Sequence, residues 1–316
     1  MTNPPPSGSI DPAQSVGGQA VLEGVMMRAP TAWAVAVRRP DGEIEAQRHE
    51  LPKLSSRSKW AKVPLVRGML VLGESLTLGF RALSWSAQKS VGEDEEELSR
   101  LEIAGSLGIA MVLFVGLFIV LPAAVANIAV GESDTAFVVL EAVIRLVLFV
   151  AYIWLLGRSK EIRRVFQYHG AEHMSIHAYE NGQPLSVASV KRYRPEHPRC
   201  GTSFLLIVIL LAIVVFTLVG RPSWPWLVGS RILGIPLIAG LSYELLRWSG
   251  TNSSEKVAGI LAAPGMWLQR LTTGVPEEPM IEVAVTSLLS ALDDDQAAEV
   301  IARGEIPETS VRARAR

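Results

Sequence analysis

The stretch IAGSLGIAMVLFVGLFIVLPAAVANIAVG, positions 103–131, contains no charged residue. A bilayer core about 30 Å thick is crossed by about 20 apolar residues in a helix, because a helix satisfies its own backbone polar groups away from water. Three further stretches read the same way. Residues 136–157 are apolar except for Glu141 and Arg145, residues 202–219 carry no charge, and residues 227–246 contain only Arg231 and Glu244. Gly, Pro or charge clusters bound each of the four. One such helix could be the buried core of a soluble domain; four in succession predict a polytopic membrane protein.

Composition agrees. Of 316 residues, 49% are hydrophobic and only 19% charged, with a mean hydropathy of +0.29. Soluble domains carry about 25% charged residues. The balance of 30 Lys and Arg against 31 Asp and Glu opposes nucleic-acid binding by bulk charge, and one cysteine excludes a disulfide scaffold. Orientation follows from the connections. The loop 158–201 holds Arg158, Lys160, Arg163, Arg164, Lys191, Arg192, Arg194 and Arg199, whereas the turn 131–135 holds no Lys or Arg. Trp224 and Trp226 suit the opposite interface. The positive-inside rule predicts that this loop and both termini are cytoplasmic. The first fourteen residues lack a signal-peptide pattern, so the first span is expected to direct insertion.

The expected organisation is an unstructured N-terminus (1–15), a cytoplasmic hairpin and interfacial helix (16–100), two spans (101–157), a histidine-rich cytoplasmic loop (158–201), two more spans (202–246), interfacial and C-terminal helices (247–303) and a basic tail (304–316) without fixed structure. Residues 33–38 and 43–49 flank Pro40-Asp41-Gly42 and predict a β-hairpin. Residues 65–87 predict a helix whose charges, Arg67, Glu74 and Arg81, recur every seven residues in one stripe. It suits the membrane interface or a place beneath the spans. The acidic run 93–97 reads as a solvated linker. Residues 256–271 read as an amphipathic segment interrupted at Pro264-Gly265, and 282–301 as one soluble helix. The fold class is thus an α-helical polytopic membrane protein of about four transmembrane helices with a small mixed α/β cytoplasmic cap.

Four of the five histidines fall between positions 169 and 197. Within this window His169-Gly170-Ala171-Glu172-His173 spells H-x-x-E-H. On a helix, imidazoles at i and i+4 share a face and can grip one metal; the carboxylate between them can serve as a general base. His177 and Glu180 extend that face. Cys200 adds a thiolate suited to zinc, and Glu244, at the cytoplasmic end of the fourth span, is the candidate third ligand or acceptor, with Glu282 as the alternate. Inside the spans, Glu141 and Arg145 at i and i+4 read as a structural pair rather than an ion path.

Several blocks together resemble the YqhQ-like bacterial membrane proteins, a domain-of-unknown-function family: Gly17-Gly18-Gln19-Ala20-Val21-Leu22-Glu23-Gly24-Val25-Met26-Met27-Arg28, Arg67-Gly68, Phe166-Gln167-Tyr168-His169-Gly170-Ala171-Glu172-His173, Tyr179-Glu180, Arg199-Cys200-Gly201-Thr202-Ser203-Phe204, Pro264-Gly265-Met266-Trp267-Leu268-Gln269 and Leu271-Thr272-Thr273. The match spans about residues 16–290. It implies a multi-pass protein of the bacterial inner membrane, often labelled a metal-dependent enzyme on the strength of the histidine motif, with His177 and His197 less characteristic than His169, Glu172, His173 and Cys200. The glycine-rich opening is no phosphate loop, since no Lys-Ser/Thr follows it. It is expected to pack against the central loop and lend Glu23 or Arg28 to the site.

Two functions are consistent with this reading. One is a zinc-dependent hydrolase acting on a membrane-borne or membrane-proximal substrate, with His169, His173 and Cys200 or Glu244 as ligands and Glu172 as base. The other is a non-enzymatic scaffold or assembly factor, with a membrane-protein partner and a structural polar cluster. A transporter is opposed by the lack of an internal repeat.

Overall fold

A computed structural model describes residues 16–51, 63–90, 100–130, 134–198, 200–220, 223–252 and 255–314. The Pro-rich first residues, the acidic run 93–97, Arg199 and Arg221 lie outside them. Four strands, β1 (Gly17–Val21), β2 (Gly24–Arg28), β3 (Ala32–Arg38) and β4 (Ile44–Glu50), form an antiparallel meander in chain order. The predicted hairpin is β3–β4, closed by Arg39 and Gly42 at φ 87°, a backbone region glycine enters without strain.

Strand β3 shows why the sheet is buried on both faces. Its side chains alternate, so Ala34 and Ala36 face one layer while Trp33, Val35 and Val37 face the other. The second layer is α1 (Val66–Ser90), which brings Leu78, Ala82 and Trp85 onto the sheet. The predicted stripe of charge on α1 is used pairwise. Arg67 pairs with Glu244, and Glu74 lies 3.3 Å from Arg28. The amino-terminal turns of α1 cross α8 (Trp224–Asn252) where two glycines meet: a Cβ at Gly68 would lie 2.9 Å from the Gly240 carbonyl oxygen.

Among the described residues three helices are long and apolar enough to cross a membrane. The first is compound: α2 (Arg100–Val115) passes through a π-helical turn, Gly116–Val120, into α3 (Leu121–Ala129). The second is α4 (Asp134–Leu156), and the third is α8. The stretch expected as another span is α7 (Gly201–Val219), whose apolar part, Phe204–Val219, is shorter. Large apolar side chains stand exposed along all of them, among them Ile109, Val112, Val143, Val147, Leu218 and Leu233. Such a continuous apolar surface suits lipid rather than water. Pro236 lies within α8 without ending it.

The charges inside these helices satisfy one another. Glu141 pairs with Arg145 at 2.5 Å, as its spacing predicts, and also with Arg231 of α8 at 2.8 Å. Arg145 Nε donates to the Phe118 carbonyl in the π-helical turn, where the regular ladder is interrupted, at 2.9 Å.

The first sheet layer belongs to the cap. There α5 (Lys160–Glu180), α6 (Val187–Val190), α10 (Glu278–Ala291), α11 (Asp294–Ala302) and α12 (Glu308–Arg314) enclose one core. Every residue of α10 from Met280 onward is buried except Glu282. The helix expected over 282–301 is two helices. Leu292 is extended, and Asp293 begins α11 with a capping box in which its carboxylate accepts from the Gln296 amide at 2.9 Å. The basic tail is helical to Arg314, anchored by Ser310 on Thr286 at 2.9 Å and Arg314 on Asp294 at 2.8 Å. Helix α9 (Glu255–Thr272) runs through Pro264 instead of breaking there, because a proline removes one hydrogen bond without forbidding the helix on either side.

Candidate metal centre

Helix α5 carries His169, Glu172, His173, His177 and Glu180, and at 3.6 residues per turn these share one face. The edge of that face is trimmed at Gly170. A Cβ there would lie 2.0 Å from the Gly274 carbonyl oxygen. Glycine therefore lets the chain pass close as it leaves α9, whose last residue, Thr272, presents its carbonyl to His169.

Backbone carbonyls set the imidazole tautomers. His169 Nδ1 donates to Thr272 at 2.9 Å, and His173 Nδ1 donates to the Pro195 carbonyl at 2.5 Å. A carbonyl only accepts, so in each neutral ring Nε2 carries the lone pair. Metal-binding histidines are oriented in the same way, the ring N–H that faces away from the metal donating to a carbonyl or carboxylate. Cys200 Sγ lies 3.3 Å from His169 Nε2. Donor atoms of His169, His173 and Cys200 all fall within 4.8 Å of one another.

Glu172 sits against this set. Its Oε2 is 3.9 Å from His169 Nε2 and 4.0 Å from His173 Nε2. That oxygen is buried and has no hydrogen-bond partner among the described residues. Among the described residues the carboxylate's backbone partner is the Gly18 amide of β1. A Cβ at Gly18 would lie 2.4 Å from the Met26 carbonyl oxygen and 3.0 Å from Glu172 Oε1, so glycine is what admits the carboxylate to the strand. Burial pushes the Glu172 carboxyl up to about 8, with His169 pulling the other way. Burial pushes His173 well below its ordinary value, helped by His169 and His197. The same cause lowers His197 to about 4. His173 and His197 are therefore neutral at physiological pH, the form that ligates a metal.

A second group continues the first. His177, Glu180 and His197 also bring one donor atom each within 4.8 Å of the others. Ring centres run 4.4 Å from His169 to His173, 5.7 Å from His173 to His197 and 4.3 Å from His197 to His177. The loop bearing His197 is held by Gln269, which is fully buried. Gln269 Oε1 accepts from the His197 amide at 2.7 Å, and its Nε2 donates to the His197 carbonyl at 2.9 Å. Sequence reasoning gave Gln269 no role of its own; a glutamine inside a helix carries no local sign of the residue it will clamp.

The family model described as "Protein of unknown function (DUF1385)" matches residues 63–294. The chain belongs to the DUF1385 family. It is 35% identical over 293 residues to the "Uncharacterized protein YqhQ" of Bacillus subtilis (strain 168), covering 86% of this chain and 90% of that one. No solved structure gives a significant match.

In this DUF1385 protein the acidic residues expected to complete the site lie elsewhere. Glu244 pairs with Arg67, so it joins α8 to α1 instead of meeting the histidines. Glu282 pairs with Arg38 at 2.9 Å. Glu23, at φ 49° in the β1–β2 turn, receives both Nε and an Nη of Arg164 at 2.6 Å. Arg28 faces Glu74 and Ser75. The glycine-rich opening does reach the centre, through the Gly18 backbone rather than through either charged side chain. His177, Glu180 and His197 fall together beside it.

Proposed function

We propose that this chain is a membrane-embedded, metal-dependent hydrolase of the bacterial cytoplasmic membrane, its centre formed by His169, His173 and Cys200 with Glu172 as the base. The observation that carries this reading is the Glu172 Oε2 atom: buried, without a partner among the described residues, and within 4.0 Å of the lone-pair nitrogens of two histidines. Leaving a buried carboxylate oxygen unpaired costs free energy, and a cation at the adjoining donors relieves it. The mixture of imidazole and thiolate favours zinc among divalent ions. A divalent ion held there supplies Lewis acidity toward a carbonyl or phosphoryl oxygen. The proton would pass through Glu172: a cation held beside it favours the ionised carboxylate, which would take the proton from the attacking water, and the carboxyl so formed would return it to the leaving group.

Four spans, with both termini and the loop 158–201 in the cytoplasm, put this centre at the lipid surface, where a membrane-borne or membrane-proximal substrate would meet it. The positive-inside count supports that orientation. Reporter fusions after residues 133 and 190 test it; an external signal from the second overturns it.

Metal analysis of the detergent-purified chain tests the centre. Near-stoichiometric zinc, lost when His169 and His173 are both replaced by alanine, is the expected result. A folded chain that neither retains nor takes up metal overturns the reading. The depth of burial favours one rival, a structural polar cluster in a non-enzymatic scaffold or assembly factor: Glu172 and His173 are only 3% and 2% exposed.

A further inference from the structure

We propose that the cap holds a second divalent-metal site, formed by His177, Glu180 and His197 and adjoining the first, so that the chain binds a pair of ions. The inference extends the metal reading above and is tested separately from it.

Donor type and placement carry it. His177 and Glu180 stand one turn apart on the face of α5 that bears His169 and His173, and His197 arrives from the following loop. One donor atom from each falls within 4.8 Å of the other two. His177 donates Nε2–H to the Glu196 carbonyl at 3.0 Å and stacks on Tyr193 at 5.7 Å with rings 6° from parallel. Its orientation is thus held from two sides, and Nδ1 is the lone-pair nitrogen. Glu180 Oε2 lies 3.3 Å from His197 Nε2. A hydrogen bond between those two groups alone would give no reason for a second oriented imidazole with its ring centre 4.3 Å from that of His197. Nor would it explain why Gln269 clamps the His197 backbone through both amide atoms.

The ligand class follows from the donors. Two imidazoles and a carboxylate form a harder set than the sulfur-bearing first group, suited to zinc, iron(II) or manganese(II). His173, neighbour to both His169 and His197, forms the wall between the groups. Adjacent divalent ions are the arrangement used to hydrolyse phosphate esters and terminal peptide bonds. The substrate class this favours therefore has an oxygen-rich scissile group, a phosphate ester or a terminal peptide.

Cobalt(II) separates the two sites, because only the first contains sulfur. The metal-free, full-length chain in detergent is loaded with cobalt(II), and bound metal and the ultraviolet thiolate-to-cobalt absorption are both measured. The expected result is two ions per chain. Cys200→Ser should abolish the thiolate absorption, and Glu180→Gln combined with His177→Asn should lower the stoichiometry to one while leaving that absorption intact. Melting of the metal-free variants confirms that they fold. A wild-type chain that binds a single ion, with the thiolate absorption and insensitive to the Glu180 and His177 changes, overturns the second site and leaves the first reading standing. A single ion without the absorption, lost on Glu180→Gln, supports the second site and removes the first. A folded chain that binds none overturns both.

Discussion

Gly170 and the carbonyl of Gly274 meet in van der Waals contact: a methyl group at position 170 would have to occupy space 2.0 Å from that oxygen. The Gly274 amide also donates to the Phe166 carbonyl at 2.8 Å, so the segment cannot swing away cheaply. Gly170→Ala is therefore expected to cost about 1–3 kcal/mol through overpacking. It should also weaken metal retention, since the same segment supplies the Thr272 carbonyl that orients His169. Melting temperature and bound metal, measured together, check this; an alanine variant with both unchanged would refute the contact.

Glu172 makes the stability of the metal-free cap depend on pH. Burial raises its carboxyl from 4.5 to about 8, so the folded chain keeps a proton that the unfolded chain releases. That contribution is complete below about pH 4.5 and is lost as pH rises through 8. His197 acts in the opposite direction. Lowered from 6.5 to about 4, it contributes stability above pH 6.5 that disappears as pH falls toward 4. Thermal unfolding in chelator should show both arms. Glu172→Gln should remove the loss between pH 6.5 and about 8 and leave the acid arm in place; an unchanged alkaline loss would count against the assignment.

Gln269 offers a test of how the centre is positioned. Its side chain makes two hydrogen bonds to residue 197 from a fully buried site. Gln269→Leu strands a buried backbone donor and acceptor at a cost of about 1–3 kcal/mol each. The expected phenotype is a less stable cap in which metal held through His197 is lost before metal held through Cys200. Cobalt(II) titration distinguishes the two; equal loss would show that the clamp serves the fold alone.

Glu141 is expected to be the most sensitive charge in the membrane helices. It serves two guanidinium groups, and Arg231 is 1% exposed. Removing one partner of a buried ion pair costs about 3–5 kcal/mol, because the other charge remains uncompensated. Glu141→Leu should therefore destabilise the detergent-solubilised protein more than Arg145→Met, which leaves the Glu141–Arg231 pair intact. Replacing all three residues with apolar ones should recover much of the loss. Equal effects of the two single changes would argue against a shared carboxylate.

How much of this was legible beforehand varies with sequence distance. The apolar spans could be read because lipid imposes length and composition on a single segment. The β3–β4 hairpin was legible from its turn residues, and the Glu141–Arg145 pair from helical spacing. The same spacing put His169, Glu172 and His173 on one face. Arg231 as the second partner of Glu141 was not legible, being ninety positions away on another helix. Glu244 was misjudged for the same reason, since depth along a span says nothing about which neighbour the side chain faces. The break at Leu292-Asp293 was read as continuous helix, although Asp293 and Gln296 stand at capping-box spacing.

By itself, then, the order of residues determined the membrane character of the chain, the helix that bears the histidines and the face they share, because these depend on periodicity within one segment. Tertiary structure alone decided that Cys200 and His197 arrive at that face, that Glu244 and Glu282 do not, and that Gly18 and Gly170 are the openings through which distant backbone reaches it. Those outcomes depend on which segments pack together, and that is set by the mutual burial of surfaces far apart in the chain.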